Sequence, residues 1–180
     1  MNNIIFDKIL IIGVGLIGSS IARAIKKNNI GKKIYGLDVS KKNLKKCNEL
    51  DIVDHSYEKI ENFSFQFDII VICSPLSTYQ KIFKDLNTFI TEDTIVTDVG
   101  STKVSVIKDF KNNCNNKYIK FVPSHPIAGL EKSGPEYGFA NLLKNRFCIL
   151  TPIHKKSSFV NKVKLFWQSL GMKVEIMEPN

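Results

Sequence analysis

Short aliphatic and β-branched runs recur along the chain at 8–12, 33–37, 68–73, 94–98, 120–122, 147–150 and 173–176. Most are continuously apolar and do not alternate, as expected of strands covered on both faces. Between them the period lengthens. Ile17, Ile21, Ala24 and Ile25 share one face of a helix over 16–27, and Val104, Ile107 and Phe110 form a second stripe. Phe159, Val163, Phe166, Trp167 and Leu170 form a third. Strands alternating with helices predict one doubly wound α/β domain over 1–180, a mostly parallel sheet with helices on both faces. The stretch 55–67 patterns poorly; one weak strand near Val53 and an irregular crossover are expected there. Asn112, Asn113, Asn115 and Asn116 mark an exposed turn.

The first strand runs directly into Gly13-Val14-Gly15-Leu16-Ile17-Gly18, which opens the first helix. In that context the spacing reads as a Rossmann-type dinucleotide turn. Gly13 permits the tight turn, Gly15 lets backbone approach a pyrophosphate, and Gly18 lets helix pack on strand. The helix N-terminus then offers unpaired N–H groups and a positive dipole end to phosphate. The alternative is an ordinary strand-to-helix turn using glycine for its backbone freedom. Asp38 ends the next strand, twenty residues after Gly18. A carboxylate there accepts the ribose hydroxyls of NAD and repels a 2′-phosphate, so NAD is favoured over NADP. Lys41 and Lys42 could still meet a phosphate, and Asp38 could instead cap the helix that begins near Ser40.

In an open parallel sheet the residues just beyond the strand C-termini converge on one crevice. Here they are the glycine turn, Asp38, Ser74-Pro75-Leu76-Ser77, Asp98 to Lys103, and Ser124-His125-Pro126-Ile127-Ala128-Gly129. Ser101 stands at the mouth of a helix, where spacing favours a capping hydroxyl over one facing the crevice. His125 reads as a loop histidine; a structural or solvated role competes with a catalytic one. Oxidising an alcohol by hydride transfer needs a group to take the hydroxyl proton, and an imidazole titrates in the right range. His55 and His154 are weaker candidates, the former in unpatterned sequence and the latter at the start of the last helix.

Charge changes the picture little. The net +9 comes almost wholly from lysine, spread in pairs such as Lys26 and Lys27, Lys32 and Lys33, Lys41 and Lys42, Lys45 and Lys46, and Lys155 and Lys156. Arg23 and Arg146 are the two arginines. A dispersed lysine surface is expected rather than a nucleic-acid face, and it is compatible with a long-range pull on a small anionic substrate. The scattered cysteines Cys47, Cys73, Cys114 and Cys148 form no C-x-x-C pair, so reduced thiols and no metal are expected. With no span of bilayer length and no secretory leader, a cytoplasmic protein without a membrane partner is expected.

Three stretches together resemble the prephenate dehydrogenase family, which includes arogenate and cyclohexadienyl dehydrogenases. They are Gly13 to Ser20, Asp98-Val99-Gly100-Ser101-Thr102-Lys103, and Ser124-His125-Pro126-Ile127-Ala128-Gly129-Leu130-Glu131-Lys132-Ser133-Gly134. The resemblance extends over essentially the whole chain, with 147–152 similar to the strand before the nucleotide domain's last helix. It implies NAD-dependent oxidative decarboxylation of prephenate, or of arogenate, in tyrosine synthesis. His125 matches the histidine that accepts the ring hydroxyl's proton. Ser101 matches the serine that orients that hydroxyl beside the cofactor, and Glu131 a residue gating the active-site mouth. Ser74, Pro75 and Leu76 match the loop along the cofactor. The resemblance also implies a helical second domain beyond Glu178-Pro179-Asn180 that makes a homodimer and supplies further substrate contacts. No position in these residues matches that domain, so a catalytically silent NAD-binding module that docks on another chain is an alternative reading.

Overall fold

Ile69–Ile72 is a run of four apolar side chains, every one buried, and burial on both faces requires the centre of a covered sheet. In the computed structural model, which describes residues 5–60, 63, 65–154 and 157–179, this run is β4. It lies between β1 (Phe6–Ile12) and β5 (Thr94–Asp98), with β2 (Gly31–Leu37), β3 (His55–Tyr57) and β6 (Ile119–Val122) completing a six-stranded sheet. The order is β3-β2-β1-β4-β5-β6 and every pair is parallel. The direction of winding reverses between β1 and β4, which is where an open sheet of this kind leaves its ligand crevice.

Side-chain alternation along the central strands feeds two separate cores. Ile9 and Ile11 of β1, with Ile69 and Val71 of β4, pack with α1 (Leu16–Asn28), α2 (Lys41–Glu49) and α5 (Ser158–Ser169). Leu10, Ile12, Ile70 and Ile72 face α3 (Tyr79–Phe89) and α4 (Lys103–Asn113). The doubly wound Rossmann-type architecture expected from the sequence is therefore present. α2 and α3 join the three helices marked by their stripes. α2 was hard to see because it buries only Leu44 and Cys47 among lysines.

Three expectations need correction, and a fourth, the weak strand near Val53, is met at His55–Tyr57. The final strands do not extend the main sheet: β8 (Phe147–Leu150) and β9 (Lys173–Ile176) join β7 (Ser124–Pro126) in a second, three-stranded sheet. Within it β7 and β8 run antiparallel, and β8 and β9 parallel. Pro123 has no N–H to continue the β6 ladder, and its carbonyl instead accepts from Thr151 N at 3.0 Å. It follows that His125 lies on a strand, not a loop. The weak strand placed near Val53 is β3, two residues later. Finally, the helical stripe over α4 is rotated: Lys103 and Val106 are buried, while Val104 is 56% exposed. An ion pair described below turns Lys103 inward.

The surface lysines pair locally with acids, as Lys32 with Asp7 at 2.8 Å and Lys26 with Asp51 at 3.1 Å; such exposed pairs contribute little to stability. Lys155 and Lys156 lie outside the described residues. The four cysteines are free thiols. Among the described residues no cluster of His, Cys, Asp or Glu could hold a metal ion, and no helix is long and apolar enough to cross a membrane.

Candidate functional site

The three glycines of the turn are required for different reasons. Gly13 has φ 93°, in the left-handed region. A Cβ there would lie 2.7 Å from Ser74 N and 2.8 Å from the Cys73 carbonyl carbon. A Cβ on Gly18 would run into the Gly13 carbonyl oxygen, so close packing of α1 on β1 depends on its absence. Gly15 differs from both: a Cβ there would meet nothing within 4 Å. Nothing in the fold forbids a side chain at Gly15, and the space above it opens to the cleft.

Gly15 is also the N-cap of α1. No side chain caps the helix and no acidic residue occupies its first turn, so its leading N–H groups are left without a side-chain acceptor. Ser19 and Ser20 do not serve as caps, because both hydroxyls donate back to the Leu16 carbonyl. Ser20 Oγ additionally accepts from Phe139 N at 3.1 Å. Gly138 is seated so closely on Ser19 that a Cβ would strike its hydroxyl. The segment around the turn Pro135–Tyr137 is thereby fastened to α1.

Asp38 follows β2 and is bonded on both oxygens. Oδ2 accepts from Val14 N at 3.0 Å and from Asn43 Nδ2 at 3.2 Å, and Oδ1 accepts from Ser40 N at 2.8 Å. The carboxylate ties the glycine turn to the start of α2 and keeps acceptor capacity on Oδ1. The N-cap of α2 is Ser40, whose hydroxyl accepts from Asn43 N at 3.3 Å. Lys41 lies 3.7 Å from Glu58, whereas Lys42 borders the cleft.

A cleft of about 1180 Å³ runs over these elements. Its walls include Gly13, Gly15, Leu16, Ile17, Asp38, Ser74 and Pro75 from the expected cofactor residues. Val14 and Gly18 lie beneath it, Val14 fully buried and Gly18 against β1. Leu76 and Ser101 are outside its walls. Its walls also include the apolar Ile60, Phe63, Ile82 and Phe89, interspersed with Lys59, Lys81 and Asp85, with the Phe63 and Phe89 rings 5.8 Å apart. Ser74 Oγ and Thr78 Oγ1, 2.8 Å apart, fix the loop after β4.

The end of β5 carries a buried ion pair. Asp98 is fully buried and Lys103 is 7% exposed. Lys103 Nζ donates to Asp98 Oδ2 at 2.6 Å and to the Ser124 carbonyl at 2.6 Å. The same carboxylate accepts from Gly100 N at 2.9 Å and Ser124 N at 3.0 Å. Burial pushes the Asp98 carboxyl up and the Lys103 ammonium down, each opposed by attraction to the other. Ser124 Oγ lies 2.9 Å from Thr97 Oγ1 and donates to the Asp98 carbonyl.

His125 is half-buried beside this pair, in register with Ile149 of β8. Burial, then repulsion from Lys103, lower its pKa below the usual 6.5, against a smaller opposing pull from Asp98. The imidazole is therefore neutral at neutral pH, the form able to take a proton. Ser101 is exposed, and Thr102, not Ser101, is the N-cap of α4. The Ser101 hydroxyl makes no hydrogen bond among the described residues, so the capping role favoured by spacing does not hold. Glu131 is exposed on the loop following β7, and Lys132, Ser133 and Gly134 continue that loop onto the cleft. His55 stacks on Tyr35 at 5.1 Å, away from these groups.

Sequence reasoning missed Asn43 and Lys103 as members of the site. Asn43 stands three residues after a serine N-cap, a spacing that could have marked it. Lys103 is a lysine at the head of a helix that follows a strand-end aspartate, and that pairing was the available signal.

The family model for the prephenate dehydrogenase nucleotide-binding domain matches residues 21–176. A cyclohexadienyl dehydrogenase from Zymomonas mobilis is 34% identical over 174 residues, covering 96% of this chain and 59% of that protein. A prephenate dehydrogenase from Bacillus subtilis is 36% identical over 150 residues, covering 83% of this chain and 40% of that protein. The solved prephenate dehydrogenase of Aquifex aeolicus, in complex with hydroxyphenyl propionate and NAD+, superposes with a TM-score of 0.88 at 36% identity. That match takes in 96% of this chain and 60% of the other. The chain thus spans between two fifths and three fifths of the length of these relatives.

Proposed function

Since the chain belongs to the prephenate dehydrogenase family by its nucleotide-binding domain, we propose that it binds NAD in the cleft over α1 and supplies the proton-accepting half of an oxidative decarboxylation. The substrate on this reading is prephenate and the product 4-hydroxyphenylpyruvate. The observation that carries the cofactor assignment is the contrast among the glycines. Gly13 and Gly18 are dictated by internal contacts, while Gly15 leaves room that only a ligand outside the fold would use. Uncapped N–H groups of α1 face that room from below.

The residues present fit the group. The α1 N-terminus and Gly15 would hold the pyrophosphate, and Asp38 Oδ1 would accept from the adenosine ribose. The apolar lining residues Ile60, Phe63 and Phe89 offer surface on which a purine could pack. Asp38 with the exposed Val39 beside it disfavours a 2′-phosphate, and Lys42, a cleft cation four residues on, is set against that preference. When bound, the nicotinamide supplies the hydride acceptor. His125, held neutral, takes the proton of the ring hydroxyl as that carbon gives up hydride and the ring carboxylate leaves as carbon dioxide. Ser101, with its hydroxyl uncommitted, orients the same hydroxyl, and Glu131 stands at the mouth.

The test has two parts. Calorimetric titration with NAD and with NADP should give saturable binding, tighter for NAD; no binding of either would remove the cofactor assignment. Reduction of NAD followed at 340 nm (a standard readout) with prephenate and with arogenate reports turnover. Turnover of arogenate alone would replace the substrate, and turnover of neither would leave a cofactor-binding module.

A further inference from the structure

We infer that Lys103 is a positioning residue for His125, fixing the Ser124–His125 peptide from inside the fold and setting a positive charge beside the imidazole. The inference rests on the reading of His125 as the proton acceptor.

Lys103 occupies an unfavourable place. It is the first residue of α4, where the positive end of the helix dipole opposes a cation, and it is almost fully buried. The attraction within the pair is largely offset by the cost of taking two charges out of water, so the ion pair by itself is not what makes the arrangement favourable. What the pair does achieve is local. Lys103 Nζ donates to the Ser124 carbonyl, the oxygen of the peptide that leads into His125. Asp98 Oδ1 accepts the Ser124 N–H. Both backbone polar groups of Ser124 are therefore held by the two side chains, and the Ser124 hydroxyl is held by Thr97 and the Asp98 carbonyl. β7 is only three residues long, so these bonds and the pairing to β8 determine where His125 sits.

The charge acts on the same residue. The groups around His125 are Asp98 from β5, Lys103 from α4, the Cys148 thiol of β8 and, one strand further along the Ile149 row, Glu175 of β9. The Cys148 thiol is pushed up to about 12 by burial and stays uncharged. The Asp98 charge is already met by Lys103, Gly100 N and Ser124 N. Lys103 is left as the charged neighbour that disfavours a charged imidazole, adding to the larger effect of burial in favouring the proton-accepting form.

The experiment is an NMR titration of the histidine side chains in this chain, with His125 assigned as the signal lost in His125→Asn. In the unsubstituted protein the His125 midpoint should lie below 6.5. Lys103→Gln keeps a donor and removes the charge; the midpoint should rise, while Lys103→Arg should hold it low. Should Lys103→Gln fail to fold, the pair is exchanged together as Asp98→Asn with Lys103→Met, and the midpoint should again rise, by less. An unmoved His125 midpoint in a folded charge-removing variant overturns the inference, because a purely structural pair would leave the titration alone. That result would leave His125 standing as the base. Conversely, full turnover by His125→Asn would end the base assignment without touching the titration result.

Discussion

Gly15→Ala separates what the fold needs from what a ligand needs. Gly15 has φ −73°, which alanine adopts freely, and the added methyl meets nothing within 4 Å. The remaining cost is that alanine is a poorer N-cap than glycine, below about 1 kcal/mol, or roughly 3 °C in Tm for a domain of this size. Cofactor affinity should respond far more strongly. A methyl above the helix N-terminus displaces a phosphate from at least one charge-assisted N–H bond, worth about 1.5–3 kcal/mol, which is roughly 10- to 100-fold in Kd. Gly18→Ala gives the opposite pattern: its methyl collides with the Gly13 carbonyl, and overpacking of that kind costs about 1–3 kcal/mol of stability. Thermal denaturation and calorimetric NAD titration of both variants make the comparison. If Gly15→Ala binds NAD as tightly as the unsubstituted chain, the open space above α1 is not the pyrophosphate path.

Asp38→Ala should weaken NAD and narrow its advantage over NADP, measured by parallel titrations, and an unchanged NAD to NADP ratio would contradict the ribose role. His125→Asn should cut turnover roughly 100-fold or more with little change in NAD Kd; an equal loss of cofactor binding would make the histidine structural. The pH profile follows from a depressed imidazole. The neutral base is present above its folded pKa and lost as pH falls through it, so the acid limb of kcat/KM should lie below 6.5. By linkage, the unfolded chain protonates this histidine first, so its contribution to stability is full above 6.5 and is lost as pH falls towards the folded pKa. A stability curve flat through that window in the native chain, but sloped in His125→Asn, would reverse the sign.

The sheet was legible because strands such as Ile69–Ile72 are apolar on both faces and the glycine turn sits where β1 ends. The convergence of Gly13, Gly15, Asp38, Ser74 and Pro75 on one cleft was legible for the same reason, since these residues follow strand ends. The surroundings of His125 were less so. Periodicity assigned Val104 to the core and could not see that a buried carboxylate would draw Lys103 inward, because a charge partner from another strand leaves no trace in local pattern. Pro123 and Pro126 flank a three-residue strand too short to register as apolar alternation, so His125 read as a loop residue. Asn43 was invisible as a site residue because its partner, Asp38, approaches from a different element.

The fastening of Gly138 and Phe139 onto Ser19 and Ser20 has a mechanical meaning. The chain leaves the histidine strand, crosses residues 127–134, and is stapled to the very helix whose head would grip the diphosphate. Two stations far apart in sequence are thus bolted to one beam. Displacement of either carries the other along, and a bulkier residue at 138 would pry them apart without altering a single group that touches a ligand.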